Sequence, residues 1–318
     1  MYNKFMRICI VKLSALGDIV HAMVVLQCIK NIEVDWVVEE RFAEILRNNP
    51  HIHRIHTVRL KNNKLGFLKE YQKLKKLPKY DMVIDLQGLI KSAVVSKILS
   101  KNVIGFNKNS LREPLASKFY TKSFDIPYEE NVVVRNLTLT CKALGIKMLN
   151  LKEKKPFLHF KTKLNFKPTL LVIVGSSWES KIYPKEKFIE LINDLHVETF
   201  VAWGNDSEKN SAEFICEETD AKILPKLSLD ELKSVISSSG LVIGGDSGPT
   251  HMAWALNIPS ITIFGPTPSK RNTFETDINL VVDCGKRVDA NVLDKNDFCI
   301  KNIKSKKIAS LAKELLKC

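Results

Sequence analysis

The chain has 318 residues, a formal net charge of +14, 26% charged residues and 45% hydrophobic residues. This balance is typical of a globular protein rather than a disordered one, and the length suits two domains better than one core. No apolar run approaches the roughly 20 residues that span a bilayer, and the N-terminal stretch lacks the small-residue cleavage site of a secretory signal.

Seven cysteines are scattered along the chain, and no two of them form a C-x-x-C pair. An odd number without such pairs indicates neither a disulfide framework nor a zinc site and is typical of a reducing compartment. No aspartate-rich metal motif is present either. We therefore expect a cytoplasmic protein that needs no metal ion.

Positive charge is concentrated in three stretches. Residues 59–79 carry eight basic residues and one acidic residue, residues 147–167 carry seven lysines, and residues 301–317 are also basic. In the first stretch apolar residues recur every third position, at Leu68, Tyr71, Leu74 and Leu77. This spacing predicts an amphipathic helix with a lysine-rich outer face. The charge suits an anionic membrane surface or lipid substrate, nucleic acid without a recognisable reading motif, or simply a solvated surface.

The first 145 residues alternate short apolar runs with helical patterns. The predicted strands are Arg7–Val11, Asp35–Glu40, Ile52–Leu60, Tyr80–Leu86 and Val103–Phe106, and the predicted helices are Ile19–Lys30, Leu89–Ser100 and Asn131–Leu144. Such alternation predicts a parallel α/β sheet with right-handed crossovers. Arg112–Ser117 interrupts the pattern as a binding loop does.

Two groups of polar residues in this half invite a functional reading. Asp18 ends a turn that resembles a dinucleotide fingerprint without its glycine spacing, and it is either a functional carboxylate or a helix N-cap. His51, His53 and His56 fit neither one helix face nor one strand face, and no nearby carboxylate or cysteine completes a metal set. We interpret them as surface or turn histidines.

The second half repeats the alternation after a lysine-rich linker that ends at Pro168. The predicted strands are Thr169–Val174, Thr199–Trp203, Leu241–Ile243 and Ile258–Phe264. The predicted helices are Lys185–Leu195, Thr250–Leu256 and two that start near Glu208 and Ser228. The chain is thus expected to form two α/β halves with a ligand cleft between them.

The chain is organised around residues 241–265, which read as strand, glycine-rich turn, helix and strand. Glycines and the free N–H groups of a helix N-terminus favour a phosphate, so the turn predicts a phosphorylated ligand such as a nucleotide, with a purely structural loop as the alternative. Polar residues gather at the strand ends of this half: Ser176, Ser177, Lys181, Glu208, Asp246, Ser247 and His251. Together with Asp18 in the other half, they provide what a group transfer needs.

The motifs together resemble the lipopolysaccharide heptosyltransferases, which are inverting glycosyltransferases of family 9 and of the two-Rossmann GT-B type. The first half carries K-x-S-x-x-GD at Lys12–Asp18, DWVVEE at Asp35–Glu40, D-x-QGL-x-KSA at Asp85–Ala93 and REPLAS at Arg112–Ser117. The second half carries WG at Trp203, LPK-x-SL at Leu224–Leu229, D-S-G-x-x-H at Asp246–His251 and FGPT at Phe264–Thr267. DWVVEE and REPLAS favour the heptosyltransferase I branch over heptosyltransferase II.

The resemblance implies a role for individual residues. Asp18 matches the catalytic carboxylate, the general base towards a Kdo hydroxyl of Kdo-lipid A. The positions that match the ADP-heptose donor site are Ser176, Ser177, Lys181, Glu208, Leu227, Asp246, Ser247, Gly248 and His251. Ser14, Lys91 and Arg112 are the candidate acceptor contacts. Serines stand where the family more often has threonines, at the phosphate turn and at Ser247, which keeps the hydroxyls.

The resemblance also implies the cellular setting and the domain plan. It predicts an acceptor domain at residues 1–160 and a donor domain at residues 161–318, whose last helix is a candidate to pack back on the acceptor domain. The enzyme would act at the cytoplasmic face of the inner membrane as a peripheral protein, without nucleic acid. Heptosyltransferase II and a sugar-nucleotide epimerase on the same scaffold remain alternatives, because a fold does not fix a reaction.

Overall fold

The computed structural model describes residues 6–60 and 64–317 of the chain. Contacts divide the chain into two compact units, Met1–Phe157 and Leu158–Cys318. This division falls three residues before the predicted boundary between residues 160 and 161.

The first unit is a six-stranded parallel sheet with helices. Its strands are β1 Arg7–Val11, β2 Glu33–Glu39, β3 Arg54–Val58, β4 Met82–Asp85, β5 Val103–Phe106 and β6 Lys122–Phe124. Its helices are α1 Leu16–Ala22, α2 Lys64–Lys75, α3 Ile90–Leu99 and α4 Val132–Leu144. The strands lie in the order β3-β2-β1-β4-β5-β6. Strand order therefore reverses between β1 and β4, and open α/β sheets bind ligands at such a switch point.

The second unit has the same plan. Its strands are β7 Leu170–Ile173, β8 Thr199–Ala202, β9 Lys222–Ile223, β10 Leu241–Gly245, β11 Ser260–Phe264 and β12 Asn279–Asp283. Its helices are α5 Lys185–Leu195, α6 Asp206–Glu217, α7 Leu229–Ser237, α8 Gly248–Leu256, α9 Ser269–Asn272 and α10 Ser305–Leu316. The order β12-β11-β10-β7-β8-β9 places the switch point between β7 and β10. The predicted α/β class with two parallel sheets is confirmed.

The central strands are apolar runs that are buried on both faces. The last four residues of β1 are buried, and β7, β10 and β11 are buried throughout. Parallel sheets carry helices on both faces, so both sides of a strand need apolar side chains. Burial of this surface, at about 25 cal/mol per Å² of apolar area, is the main stabilisation of each unit.

Three strands were missed by the sequence analysis: β6, β9 and β12. Each of them lies at an edge of its sheet. An edge strand has one neighbour instead of two and carries side chains that face solvent, as β6 and β9 do. No apolar run marks β6 or β9, so the pattern that found the central strands does not find them. β12 does contain an apolar run, Leu280, Val281 and Val282, which the sequence analysis did not assign to a strand.

Two predicted boundaries were wrong where they concern the site. Helix α1 begins at Leu16 rather than at Ile19, so Asp18 lies inside its first turn; the helix ends at Ala22 and a 3₁₀ helix follows. Gly244 and Gly245 were assigned to the turn, but they pair with β11 as the last residues of β10.

The stretch predicted as a binding loop is only partly a loop. Pro114–Phe119 form a 3₁₀ helix with the proline at its start, where a missing N–H is tolerated. Arg112 and Glu113 precede it. The predicted amphipathic helix is also shorter than expected, since α2 ends at Lys75. Leu74 is buried, whereas Leu68 is 56% exposed.

The predicted linker is attached to both units. On the first unit, Gln27 exchanges two hydrogen bonds with Lys155, and the Asn49 amide donates to the Phe157 carbonyl. On the second unit, the Asp230 carboxylate accepts the backbone N–H groups of residues 161 and 162. The last helix, α10, packs on α5 and contributes Ile308, Ala309 and Ala312 to the core of the second unit.

Replacing Asp230 with asparagine is expected to lower the free energy of unfolding by about 1–2 kcal/mol at neutral pH. Burial alone would raise the pKa of Asp230, but the N–H groups of Thr162 and Lys161 and the buried ammonium of Lys233 lower it to about 2. Because the folded pKa lies below the unfolded value near 3.9, this stabilisation is present above about pH 4 and is lost as the pH falls towards 2. Chemical denaturation of both proteins at neutral and acidic pH measures it; an equal difference at both would contradict the assignment.

Candidate functional site

The first switch point is formed by the loops that follow β1 and β4. The side-chain oxygen of Gln87 accepts the backbone N–H groups of Leu13 and Ser14, at 3.0 and 3.1 Å. The buried ammonium of Lys12 donates to the Leu86 carbonyl at 3.1 Å. The two loops are therefore held together by side chains from both. Gln87 belongs to the D-x-QGL-x-KSA motif, but no pattern in the sequence assigned it to the site.

Asp18 lies directly beside this loop. Its Oδ2 accepts the N–H of Ala15 at 3.1 Å, and the residue is half-buried. Gln87 thus binds the backbone amides of residues 13 and 14, and Asp18 binds the next amide, that of residue 15. The carboxylate both caps the start of α1 and points into the loop at the switch point, so capping and a functional role are compatible.

The candidate acceptor residues belong to loops at this same edge of the first sheet. Ser14 follows β1, Lys91 is the second residue of α3, and Arg112 follows β5; Lys91 and Arg112 are exposed. Glu113 connects two of these loops, because its carboxylate accepts the N–H of Ile90 at 2.7 Å. Lys91 and Arg112 are therefore exposed basic side chains on loops that follow strands of the sheet whose β1 loop leads to Asp18.

The second switch point is built around Asp246, which follows β10 and is 6% exposed. One carboxylate oxygen meets the Lys181 ammonium at 2.8 Å and the Thr267 hydroxyl at 2.7 Å, and the other meets His251 Nε2 at 2.9 Å. Burial alone would raise the pKa of Asp246, but the Lys181 charge and the His251 hydrogen bond hold it far below its ordinary range. Asp246 is thus a buried anion that fixes three side chains.

Thr267 was not among the residues assigned to the site. It is 4% exposed and belongs to the FGPT motif after β11, so the motif was a signal that the sequence analysis did not use. Its contact follows from topology, because β11 is the neighbour of β10 and the ends of the two strands meet.

The phosphate turn predicted at Ser176 and Ser177 follows β7, on the other side of the switch point. The Ser176 hydroxyl donates to the Asp246 carbonyl at 3.1 Å, while Ser177 is exposed. Ser247 is the N-cap residue of α8 and shares a hydrogen bond with the Thr250 hydroxyl, and Gly248 is the first residue of the helix. Seryl hydroxyls, a lysine and a helix N-terminus therefore converge, as an anion site requires.

The last residue of β10, Gly245, leaves no room for a side chain. A Cβ at position 245 would lie 2.7 Å from the backbone oxygen of Lys181. Backbone atoms do not yield as a flexible side chain does, so any larger residue would displace the turn that carries Lys181. The glycine is required for the position of the ammonium rather than for a turn.

Glu208 and Leu227 lie on one side of this site. The Glu208 carboxylate accepts the Gly204 N–H and an Asn205 amide hydrogen, both at 2.7 Å, and a Cβ on Gly175 would clash with it. Leu227 is half-buried just before α7. Trp203, which precedes Gly204, donates to the Leu224 carbonyl at 2.8 Å and so connects the two segments.

The interpretation of the three histidines needs correction. His51 and His53 are exposed as expected, but His56 lies in β3 and is half-buried. The carboxylate that the sequence analysis did not find is Asp35 on the neighbouring strand, which bonds His53 at 3.0 Å and His56 at 3.1 Å. Adjacent strands bring together residues that are 18 and 21 positions apart.

Glu33, Asp35 and His53 are the residues in the described chain that could hold a metal ion, since their ligand atoms lie within 4.8 Å of one another. The Arg7 guanidinium already pairs with both carboxylates, at 2.6 Å from Glu33 and 2.7 Å from Asp35. Burial alone would raise the pKa of Asp35, but hydrogen bonds from His56, Tyr80 and His53 together with Arg7 hold it well below its usual range. Glu33 and Asp35 lie at the start of β2, at the amino-terminal ends of the strands, whereas the switch-point loops follow the carboxyl ends.

Comparison with known proteins shows the family of the chain. The family model for glycosyltransferase family 9 (heptosyltransferase) matches residues 68–284. A lipopolysaccharide heptosyltransferase 1 from Campylobacter coli is 45% identical over 98% of this chain and 99% of its own length. The chain belongs to glycosyltransferase family 9. It is a glycosyltransferase of the heptosyltransferase family.

Further comparisons extend this to the fold. Lipopolysaccharide heptosyltransferase 1 of Escherichia coli K12 is 32% identical over 82% of this chain and 88% of its own length. The structure of E. coli heptosyltransferase WaaC with ADP covers 98% of both chains with a TM-score of 0.78 and 28% identity. None of the helices in residues 6–60 and 64–317 combines the length and apolar character that a bilayer-spanning helix requires.

Proposed function

We propose that this glycosyltransferase moves L-glycero-D-manno-heptose from ADP-heptose to a Kdo residue of Kdo-lipid A, as in heptosyltransferase I. The observation that carries the proposal is the anion site around Lys181 at the second switch point, in a chain 45% identical to a lipopolysaccharide heptosyltransferase 1. A nucleoside diphosphate sugar presents the paired negative charges that such a site binds.

The diphosphate would be bound by Lys181, Ser177 and the first N–H groups of α8. An ammonium has three donors, and Asp246 takes one of them, which leaves the others for phosphate oxygens. Asp246 and His251 are buried and already bonded to each other, so we assign them to positioning Lys181 rather than to contact with the donor. As the sugar–phosphate bond breaks, charge grows on the departing ADP, and donors fixed beforehand stabilise it without reorganisation.

Glu208 and Leu227 would hold the nucleoside end of the donor. The Glu208 carboxylate is held by hydrogen bonds from Gly204 and Asn205, and it would accept the ribose hydroxyls. Leu227 offers a half-buried apolar surface for adenine. Ser247 and Gly248 lie where α8 begins and complete the set.

Asp18 would act as the general base. Asp18 would take the Kdo hydroxyl proton as the carbon–oxygen bond forms. The hydroxyl attacks the anomeric carbon opposite the leaving diphosphate, which inverts a β-linked heptose to an α-linked product. Ser14, Lys91 and Arg112 would bind the acidic acceptor beside this base.

Basic side chains of the first unit would also hold the enzyme to the cytoplasmic face of the inner membrane. Lys69, Lys73 and Lys75 of α2 are exposed, and so is the apolar Leu68 beside them. Each lysine near an anionic leaflet contributes about 1 kcal/mol. Lys61, which belongs to the predicted lysine face, lies outside the described residues.

The test is to incubate the protein with ADP-heptose, with and without Kdo-lipid A, and to measure ADP release and heptosylated lipid. The proposal expects both products only when the acceptor is present. Transfer only to an acceptor that already carries a heptose would indicate heptosyltransferase II. Turnover of ADP-heptose without any acceptor would indicate an epimerase or a hydrolase instead.

EDTA is expected to leave the transfer rate unchanged. The Lys181 ammonium and the N-terminus of α8 supply the positive charge that a divalent ion would otherwise bring to the diphosphate. Initial rates in EDTA and in added Mg²⁺ or Mn²⁺ measure this. A rate that collapses in EDTA and returns with the metal would contradict it.

Replacing Gln87 with alanine is expected to lower kcat by about 10- to 100-fold while ADP affinity stays unchanged. The variant leaves the N–H groups of Leu13 and Ser14 without their acceptor, which at about 1–3 kcal/mol for unsatisfied donors shifts the loop next to Asp18. Gln87→Glu keeps an oxygen in place and serves as the control that should retain more activity. Equal activity of the alanine variant and the parent protein would show that the loop keeps its position without Gln87.

A further inference from the structure

Residues 284–299 form a strap between β12 and the 3₁₀ turn that begins at Cys299. Two pairs of side chains close its base. The thiol of Cys299 donates to the sulfur of Cys284 at 2.7 Å, and the Lys286 ammonium lies 3.3 and 3.4 Å from the carboxylate oxygens of Asp297. Lys286 lies two residues after Cys284, and Asp297 lies two residues before Cys299, so the two ends of the strap run antiparallel and are paired at two successive positions.

The strap lies against the turn that carries Lys181. The Lys295 ammonium lies 4.9 Å from the centre of the Trp178 ring. At the base, Cys284 donates to the Gly265 carbonyl at 3.5 Å, and a Cβ on Gly265 would lie 3.1 Å from the Ser180 backbone oxygen. A change in the mobility of the strap would therefore act on the residues next to Lys181 and the anion site.

The two thiols differ in exposure. Cys299 is 4% exposed, and burial followed by the hydrogen bond to Cys284 raises its pKa to about 12, so it keeps its proton at neutral pH. Cys284 is half-buried and is the sulfur that a reagent from solvent meets first.

We propose that Cys284 and Cys299 are a dithiol that a small-molecule disulfide oxidises to an intramolecular disulfide, which locks the strap at its base. The sulfurs need to approach by under about 1 Å to reach the S–S bond length. The two cysteines are 15 positions apart in the sequence, and the fold of the strap brings their sulfur atoms into contact.

The chemistry is thiol–disulfide exchange. The Cys284 thiolate attacks one sulfur of the small disulfide, forming a mixed disulfide and releasing one thiolate, which takes up a proton. Cys299 then loses its proton and attacks the Cys284 sulfur, which expels the second small thiol. In total, two protein thiols and one small disulfide give one protein disulfide and two small thiols.

The test treats the full chain with oxidised glutathione, blocks the remaining thiols with N-ethylmaleimide and digests with trypsin. Cleavage after Arg271, Lys286, Lys295 and Lys301 places the two cysteines on the separate peptides 272–286 and 296–301. The proposal expects these peptides to be joined and to separate on reduction. Recovery of both as N-ethylmaleimide adducts, or of glutathione adducts without the cross-link, would overturn it.

Two variants and one internal comparison sharpen the result. Cys299→Ser is expected to trap glutathione on Cys284, whereas Cys284→Ser is expected to leave Cys299 unmodified because it is buried. Cys28 in the first unit is half-buried and has a pKa lowered to about 7 by a hydrogen bond with Cys141. A cross-link found only between those two cysteines would overturn the proposal, since it would show that oxidation is directed elsewhere.

Hydrogen exchange tests the lock itself. Amides of residues 285–298 are expected to exchange about tenfold more slowly in the oxidised protein, while those of β1, in the other unit, do not change. The parent protein kept reduced with dithiothreitol is the control. Equal exchange rates of the strap in both forms would show that the disulfide forms without locking it.

Discussion

Replacing Asp18 with asparagine is expected to reduce heptose transfer by about 10²- to 10⁴-fold, the range that general base catalysis contributes. The amide cannot accept the Kdo proton, but its oxygen can still accept the Ala15 N–H that Oδ2 accepts at 3.1 Å. The start of α1 therefore keeps its cap while the reaction loses its base. Single-turnover transfer with ADP-heptose and Kdo-lipid A measures the loss.

ADP binding and thermal unfolding separate the two roles of Asp18. Its contacts lie in the first unit and those of Lys181 in the second, so calorimetry should give the same Kd for ADP in both proteins. Asp18→Ala removes the cap as well and is expected to unfold at a lower temperature than the asparagine variant, at a cost of about 1 kcal/mol. An asparagine variant that transfers heptose at the parent rate would remove Asp18 from catalysis.

Replacing Asp246 with asparagine is expected to destabilise the chain by about 3–5 kcal/mol and to weaken ADP binding. The variant leaves the ammonium of Lys181 buried without its counter-ion, which costs more than an ion pair gains. His251 loses the same partner. Thermal unfolding reports the stability, and calorimetric titration with ADP reports the position of the lysine.

The pH dependence of this effect follows from the direction of the pKa shift. The folded pKa of Asp246 is lowered, so its carboxylate contributes stability above the unfolded value near 3.9 and loses it as the pH falls below that value. The parent and variant proteins should therefore differ most at neutral pH and converge in acid. Unfolding curves that stay equally far apart at low pH would contradict the charge pairing.

An exposed ion pair of the same unit provides the control for Asp246. Asp194 lies 3.0 Å from Lys313, and both side chains are more than 40% exposed. Exposed pairs contribute about 0–1 kcal/mol, so Asp194→Asn should leave stability and ADP binding nearly unchanged. An equal loss in both variants would mean that burial of Asp246 has no special effect.

Residues that are close in sequence were assigned correctly wherever apolar runs were long and buried. β1, β5 and α5 have the predicted bounds, because a run of apolar residues or a 3.6-residue period carries its own signal. The edge strands β6, β9 and β12 and the start of α1 were missed. β6 and β9 are short and carry no apolar run, and the first turn of α1 is marked by the Asp18 carboxylate that accepts the Ala15 N–H rather than by apolar spacing.

The candidate site divides in the same way. Asp246, Ser247 and His251 lie on one helix start, and their spacing in one motif was enough to find them. Thr267 reaches the second switch point from the end of β11, and Gln87 reaches the first switch point from the end of β4. Neither spacing nor composition indicated those contacts. The pairing of Asp35 with His53 and His56 was missed for the same reason.

Two parallel α/β halves and an anion-binding helix start follow from the amino-acid sequence alone, since buried strands need continuous apolar runs and phosphate turns need small residues. The folded structure was needed to show that Asp246 is a buried counter-ion of Lys181, and that the sulfur atoms of Cys284 and Cys299 are in contact. Both depend on which strand ends become neighbours. The order of the strands in the sheet sets which strand ends are neighbours, and the spacing of residues along the chain does not predict that order.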